Sequence, residues 1–522
     1  MKVFSLKYNK IRIVKSVFRL CTFTVLAFLA PANATSTGSE ISKYVKPNFL
    51  FILTDDQSYT ALGRAGNHQI KTPNLDRLAA SGTQFTHVFN QGSWSPAVCA
   101  PSRAMINTGR NLFETGMRDK TIAAQARPNY PLWGETFKNA GYDTFMSGKW
   151  HVSRQALLRS FTIGKAIHEG GMTYDHYNAT MVNLDEKTHQ ISTPYPSKKH
   201  TSELIADAAV DYLQQKSKRN DDPFLMYVGF LAPHDARQSP QSYVDMYPGK
   251  DIALPKSFMK QNTVDQGDFW VRDEILLPIP REKQAVKQFI GEYYAMITHM
   301  DAQIGRILDS LAQSPYADNT IIVFTSDHGL AVGKHGLLGK QNQYDHSIRA
   351  PFVIAGKGIA QGQVSKGNFY LNSLFPTTAE LARIAVPATV QAKSIVPLLS
   401  YQKKPDQQVS EQGMSDQKSG LYDYIYGSYR HYQRMVRTDD LKLIYYPMIK
   451  QTQLFDLKND PEELNNLAAN SQYHDKLVML QNKLADLMKE LKDPLDFNAP
   501  EQSFKKAGYA TIPWRRNDKR LN

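Results

Sequence analysis

The 522-residue chain predicts an α/β protein built on a largely parallel sheet, on two observations. Short, near-continuous apolar runs alternate with helical stretches, the pattern of strands buried on both faces. Four of those runs also end in reactive polar residues. Residues 47–54 close on Asp55-Asp56, and 141–146 lead into Gly148-Lys149-Trp150-His151. Residues 223–232 lead into Pro233-His234-Asp235, and 320–325 into Ser326-Asp327-His328-Gly329. Ligands collect beyond the carboxyl ends of strands in such sheets, so one rim receives all four sets of side chains. Helices are predicted over 72–81, 132–140, 201–217 and 291–312. The stretches 152–200 and 238–287 have weak periodicity and many polar, Pro and aromatic residues, and read as loops over that rim. The polar run 401–420 reads as a linker or surface excursion. Beyond it, 422–429, 434–438 and 441–447 alternate like antiparallel strands. An acidic turn at 456–467 then precedes a helix over 474–491. The expected organisation is a leader over 1–34, a catalytic domain over 35–400 and a smaller α+β subdomain over 401–522, without internal repeats.

The leader has the form of a secretory signal peptide. Lys2, Lys7, Lys10, Arg12, Lys15 and Arg19 stand without an acid, an almost wholly apolar run fills 20–30, and Ala32-Asn33-Ala34 offers a small-x-small cleavage site. The apolar run is short for a stop-transfer helix, which is what the competing reading, a membrane anchor, requires. Cys21 begins that run rather than ending it, so no lipobox frames it. Cleavage after Ala34 leaves 488 of the 522 residues and removes six positive charges, so a net charge of +13 becomes +7. That excess suits an anionic substrate. No dense Lys/Arg stripe argues for nucleic acid. The leader's style suggests a Gram-negative bacterium and a secreted, periplasmic protein with no membrane anchor after cleavage.

Loss of the leader makes Cys99 the single cysteine, with no internal disulfide open to it. It begins the string Cys99-Ala100-Pro101-Ser102-Arg103, followed by Ala104-Met105-Ile106-Asn107-Thr108-Gly109-Arg110. Pro101 suits a first helical turn and Gly109 a stop, which puts Cys99 at a helix N-terminus, where anions are stabilised. Asp55-Asp56 and Asp327-His328 each have a plain reading as turn or capping residues. Together at strand ends they favour a shared hard divalent cation, which relieves carboxylate repulsion. A thiolate nucleophile paired with histidine is the alternative role for Cys99. A soft thiolate suits a hard-cation site poorly.

The string from Cys99 to Arg103 with Thr108-Gly109-Arg110 resembles the Cys-x-Pro-Ser-Arg signature of type I sulfatases. Gly141-Tyr142-Asp143-Thr144 with Gly148-Lys149-Trp150-His151 resembles their second signature. Asp55-Asp56, Asp327-His328-Gly329 and 454–467 (LFDLKNDPEELNNL) follow in the family's order, so the resemblance spans roughly 45–470. It implies an alkaline phosphatase-like fold: a large mixed, mostly parallel sheet flanked by helices, with a smaller C-terminal α+β subdomain. It also implies that a formylglycine-generating maturation enzyme converts Cys99 to Cα-formylglycine (3-oxoalanine). One hydroxyl of the hydrated aldehyde then attacks sulfur to form a covalent sulfo-enzyme, and deprotonation of the other expels sulfate. By the same resemblance, Asp55, Asp56, Asp327, His328 and the modified Cys99 are ligands of Ca2+, and Arg103 holds the diol. Lys149 and Lys340 bind sulfate oxygens, His151 assists elimination, and His234 protonates the leaving alcohol. His335 is either a sulfate neighbour or a turn residue.

Two positions depart from the family pattern. His328 stands where many members carry Asn, and His234-Asp235-Ala236-Arg237 is charged where many carry Pro or apolar residues. Asp235 and Arg237 either contact a sugar hydroxyl and a carboxylate or second sulfate, or form a surface ion pair. The expected function is hydrolysis of sulfate esters on a sulfated carbohydrate. Algal polysaccharides or their oligosaccharides (ulvan, carrageenan, related galactans) come first, and glycosaminoglycans second. One alternative is a phosphonate or phosphate ester hydrolase of the same superfamily, disfavoured by the paired Asp55-Asp56 and the leader. Another is a catalytically silent sulfated-glycan binding protein, which predicts lost catalytic groups, whereas every matched position is kept.

Overall fold

The computed structural model describes residues 45–115, 130–216, 218, 221–268, 271–399 and 420–497. The leader read at 1–34 and the subdomain boundary at 400 lie outside them. From Lys46 onward the chain is built on a sheet of eleven strands. Its central strand, Asn48–Thr54, is buried at every residue and runs parallel between Phe224–Gly229 and Thr320–Ser326. Asp143–Lys149 pairs parallel with Phe224–Gly229, and Ile163–His168 continues parallel beyond it. On the other flank, Arg349–Gly356 runs antiparallel between Thr320–Ser326 and Gly82–Phe89. The sheet is thus mixed and mostly parallel, as expected, and the four predicted strands form its centre. Neither face there meets water, which is why those segments read as unbroken apolar runs rather than as alternation.

Residue parity divides the core. Leu50 and Ile52 point to one face, where Pro73–Ala80, Thr201–Lys216 and Lys283–Ala312 pack. Phe49, Phe51 and Leu53 point to the other, against Trp133–Asn139, Arg154–Ser160 and Leu374–Leu381. The long helix begins eight residues before its predicted start at 291. In its first two turns only Val286, Phe289 and Ile290 are buried, and the intervening Lys and Gln residues mask the period.

The stretch 152–200 is not a loop. It holds the helix Arg154–Ser160 and the strands Ile163–His168, Thr180–Leu184 and Tyr195–Pro196, which extend the sheet to its edge. A register shift between Gly164 and Ile167, with Ala166 at a φ of 52°, breaks the two-residue period there. The stretch 238–287 is closer to the expectation. It contains the short helix Gln241–Val244 and single 3-10 turns, among them Arg272–Leu276.

The C-terminal region forms a five-stranded sheet in the order Gln451–Asp456, Leu441–Tyr446, Gln433–Arg437, Ile425–Tyr429 and Gly92–Ser93. The helix His474–Glu490 packs on it through Leu480, Leu484 and Leu487. Gly92–Ser93 joins parallel to Ile425–Tyr429 and comes from the segment just before Cys99, so this sheet reaches the rim. Among the described residues no helix is long and apolar enough to cross a membrane.

One buried carboxylate links two helices. Asp301 in Lys283–Ala312 accepts from Leu75 N at 2.8 Å, Asn74 N at 3.1 Å and Asn74 Nδ2 at 2.9 Å, and so caps the N-terminus of Pro73–Ala80. Asp301→Ala leaves these donors without an acceptor. It is expected to lower the unfolding free energy by about 2–3 kcal/mol, read from the urea midpoint.

Candidate active site

The rim beyond the central strands gathers Asp55, Asp56, Cys99, Arg103, Lys149, His151, His234, Asp327, His328 and Lys340. Adjacent residues of a regular strand point to opposite faces. Asp56 escapes this with a φ of 72°, a left-handed conformation that Asp tolerates, and so both carboxylates of the pair turn toward the rim. Tyr293 donates to the Asp56 carbonyl at 2.7 Å, and the Asp56 N–H donates to Asp327 Oδ1 at 3.3 Å. Cys99 opens the helix Cys99–Thr108, which ends at Gly109 with a φ of 62°, as the sequence predicts.

Asp55, Asp56, Cys99 and His328 each present a ligand atom, all within 4.8 Å of one another and all buried. His328 Nδ1 donates to the Gly329 carbonyl at 2.9 Å. Its Nε2 then faces Asp56 Oδ1 at 3.2 Å, Cys99 Sγ at 3.3 Å and Asp327 Oδ1 at 3.4 Å. A backbone acceptor on the far nitrogen is the usual way a histidine is aimed at a metal. Asp55 Oδ1 has no hydrogen-bond partner among the described residues. Three buried carboxylates, one of them with an oxygen that accepts no hydrogen bond, and one histidine fit a hard divalent cation.

Cations surround this cluster. Fully buried Arg103 donates from Nε to Asp327 Oδ2 at 3.0 Å and from Nη1 to the Lys149 carbonyl at 2.7 Å. Lys149 Nζ meets Asp55 Oδ2. Lys340 Nζ lies 2.8 Å from both Asp56 oxygens and 3.4 Å from Cys99 Sγ. His234 Nδ1 donates to the Asp235 carbonyl at 2.8 Å, leaving Nε2 3.8 Å from Asp56 Oδ2. A cavity of about 360 Å³ opens onto Cys99, His151, His234, Arg272, Asp273 and Lys340, with Tyr174 at its mouth, 81 % exposed.

The electrostatics bear on nucleophile choice. Burial, and after it the Asp55 carboxylate, push the Cys99 thiol well above its ordinary value of 9.0. Lys149 and Lys340 act against this shift, and a divalent cation held by the neighbouring carboxylates would act with them. Burial also acts to raise Asp327, but His328, Arg103 and Lys149 outweigh it and hold the carboxyl below the usual range. Burial, then Lys149 and Arg103, hold His151 well below 6.5, and its Nδ1 has no partner among the described residues.

Two of the candidates belong elsewhere. His335, at a φ of 53°, stacks on Tyr344 with ring centroids 4.1 Å apart, and its Nε2 meets the Glu463 carbonyl at 3.1 Å. It is a packing residue turned toward the C-terminal region, not a lining residue of the cavity. Arg237 does not pair with Asp235. Its guanidinium lies over the Tyr293 and Phe289 rings at 5.0 and 5.1 Å. Asp235 is buried, and its partner is Arg272, so the surface ion pair between Asp235 and Arg237 does not exist. Arg272 and Asp273, which line the cavity, were not among the predicted site residues. They sit in an irregular stretch with no strand end to mark them, and the only signal was a charged Arg272-Asp273-Glu274 run between apolar neighbours.

The sequence profile of the sulfatase family matches residues 47–384. A profile of the C-terminal region of N-sulphoglucosamine sulphohydrolase matches residues 333–490. The chain belongs to the sulfatase family, with its alkaline phosphatase-like fold, and is a sulfuric ester hydrolase. An N-acetylglucosamine-6-O-sulfatase of Bacteroides thetaiotaomicron is 28% identical over 90% of this chain and 90% of its own. An ulvan-active sulfatase of Formosa agariphila is 28% identical over 96% of this chain and 91% of its own. A solved structure of a protein in complex with its substrate D-glucosamine-2-N,6-O-disulfate has a TM-score of 0.69 at 25% identity, covering 88% of this chain and 99% of that one.

Proposed function

We propose that this sulfatase removes sulfate esters from a sulfated saccharide, with Cys99, once converted to formylglycine, as the nucleophilic position. The observation that carries the reading is the position of Cys99 Sγ: it lies within 3.4 Å of both His328 Nε2 and Lys340 Nζ, at the floor of a cavity large enough for a sugar ring. The similarity to an N-acetylglucosamine-6-O-sulfatase, to an ulvan-active sulfatase and to a protein that takes a disulfated glucosamine supports a saccharide substrate. Glycosaminoglycan-type amino sugars and ulvan-type algal oligosaccharides are the two candidate classes. The leader read at 1–34 supports placing the enzyme in the periplasm.

Asp55, Asp56, Asp327 and His328 would hold Ca2+ together with the modified side chain. Bound there, the cation would acidify the hydrated aldehyde and polarise sulfate oxygens. The remaining work falls to the protein's own groups. Arg103, fixed by Asp327 and the Lys149 carbonyl, holds the attacking side chain in register. Lys149 and Lys340 offer mobile point charges to sulfate oxygens. His151 takes the proton whose loss expels sulfate from the enzyme, and His234 gives one from Nε2 to the leaving oxygen. Burial, then Lys340, hold His234 well below 6.5. An arriving sulfate brings negative charge beside it, so proton uptake accompanies substrate binding.

The test is a screen of matured protein against sulfated glucosamines and ulvan oligosaccharides with released sulfate as readout. Release from one of these classes is the expected result. Release from aryl sulfates alone would overturn the saccharide reading.

A further inference from the structure

Asp273 lines the cavity and Asp235 lies behind it, next to His234 on another segment, yet one guanidinium holds both. Arg272 meets the Asp235 carboxylate through Nη1 and, at 3.1 Å, through Nη2, and the same Nη2 donates to Asp273 Oδ1 at 2.6 Å. Each carboxylate in turn touches a working group. Asp235 receives His234 Nδ1 on its carbonyl at 2.8 Å and has its Oδ1 3.2 Å from the same nitrogen. Asp273 Oδ2 accepts from Gln341 Nε2 at 2.7 Å and lies 3.6 Å from Lys340 Nζ. His234 follows one central strand and Lys340 follows another, and Arg272 comes from the irregular stretch between them. We propose that Arg272 is a positioning residue, a crosspiece that fixes the proton donor His234 relative to the sulfate-binding Lys340. This rests on the roles given above to those two residues.

The chemistry suits arginine alone. A planar fork with five donors can hold one carboxylate with two nitrogens and share a third contact with a second. Lysine keeps the charge but has a single nitrogen, so it cannot span both carboxylates in fixed geometry. Arg272 is itself three-quarters buried, with side-chain exposure of 25% toward the cavity and 9% and 6% for its partners, so water screens these pairs weakly. Its neutralisation by two carboxylates also argues against a role as a free anion receptor. A displacement of about an ångström in either group is enough to reduce turnover strongly.

The test uses matured enzyme carrying Arg272→Gln or Arg272→Lys, checked for an unchanged thermal midpoint in at least one of them. Calorimetric binding of inorganic sulfate reads the Lys340 arm. Turnover of 4-nitrophenyl sulfate against phenyl sulfate reads the His234 arm, because 4-nitrophenolate leaves with little need of a proton and phenolate needs one. Both variants are expected to bind sulfate roughly tenfold more weakly and to lose roughly tenfold in kcat on 4-nitrophenyl sulfate. On phenyl sulfate the loss is expected to be on the order of 100-fold. Lysine should rescue neither readout. Equal losses on both esters, unchanged sulfate binding, or a change confined to one arm would overturn the crosspiece. Lys340→Met and His234→Ala run alongside as controls. If these leave their own readouts unmoved, the roles of Lys340 and His234 fail, and the reason for a crosspiece falls with them.

Discussion

Cys99→Ala is expected to cut sulfate release by at least about 10⁴-fold, the scale of losing a covalent nucleophile. The fold should survive. The side chain is small, its nearest neighbours are polar site groups rather than core carbons, and the surrounding strands pack without it. A thermal midpoint within a few degrees of the parent, with activity gone, is the expected pair of results. Mass spectrometry of the peptide containing Cys99 supplies the complementary test. In active protein it should be about one water lighter than the thiol form, or close to the thiol mass as the hydrate. Activity retained within tenfold in Cys99→Ala, or active protein containing only unmodified thiol, contradicts the mechanism.

A second large effect lies behind the site. Lys442 is fully buried in the C-terminal sheet and bridges Asp345 Oδ1 at 2.8 Å and Glu463 Oε1 at 2.7 Å. Glu463 Oε2 also accepts from the Asp345 N–H at 2.8 Å. Asp345 lies five residues beyond Lys340 on the same connection, and Gln433 Nε2 donates to the Gln341 carbonyl at 3.2 Å. The C-terminal sheet therefore holds the lysine-bearing loop from behind. Lys442→Met leaves two neighbouring buried carboxylates with one cation fewer, and is expected to lower the unfolding free energy by about 3–5 kcal/mol. The measurement is a urea or thermal midpoint, with a rise in KM for sulfate ester at temperatures where the variant is folded. The pH dependence has a definite sign. Burial acts to raise Asp345, but Arg437, Lys442 and Arg349 hold it well below its ordinary 3.8. The stabilisation is therefore fully present above that value and is lost as pH falls toward the depressed one. An unchanged midpoint in Lys442→Met would show that the loop stands without this anchor.

The sequence showed most of what lies at the centre of the sheet and less of what lies at its edges. Strands such as Asn48–Thr54, buried on both sides, must be apolar throughout, and the chain's reactive residues then mark where each one stops. Ile163–His168 and Thr180–Leu184 were hidden by the shift at Gly164 and Ile167. Gly82–Phe89, with Thr83, Gln84, Thr86 and His87 among its residues, carries too many polar side chains to read as a buried strand. At the site, the residues tied to strand ends and to the Cys99 helix converge as read. Two candidates fall outside the site, and both were drawn in by closeness in sequence, His335 taking its turn-residue alternative. His335 is five residues from Lys340 and Arg237 two from Asp235, yet left-handed backbone at one and two aromatic rings beneath the other turn both aside. Arg272 and Asp273 were missed for the converse reason. Only the folded chain brings them beside His234 and Lys340, and their own surroundings in sequence say nothing of it.

The burial of Cys99 sets a timetable. The thiol is 2% exposed, enclosed by Asp56 on one side and by His328 and Lys340 on the other. The latter two are encoded more than two hundred residues later. In a chain that lacks those later residues, Cys99 would have neither of these two neighbours. Docking of the strand Thr320–Ser326 beside Asn48–Thr54 brings His328 against it. If Cys99 is converted as proposed, a maturation enzyme that must grip the surrounding backbone would have to act before that strand docks.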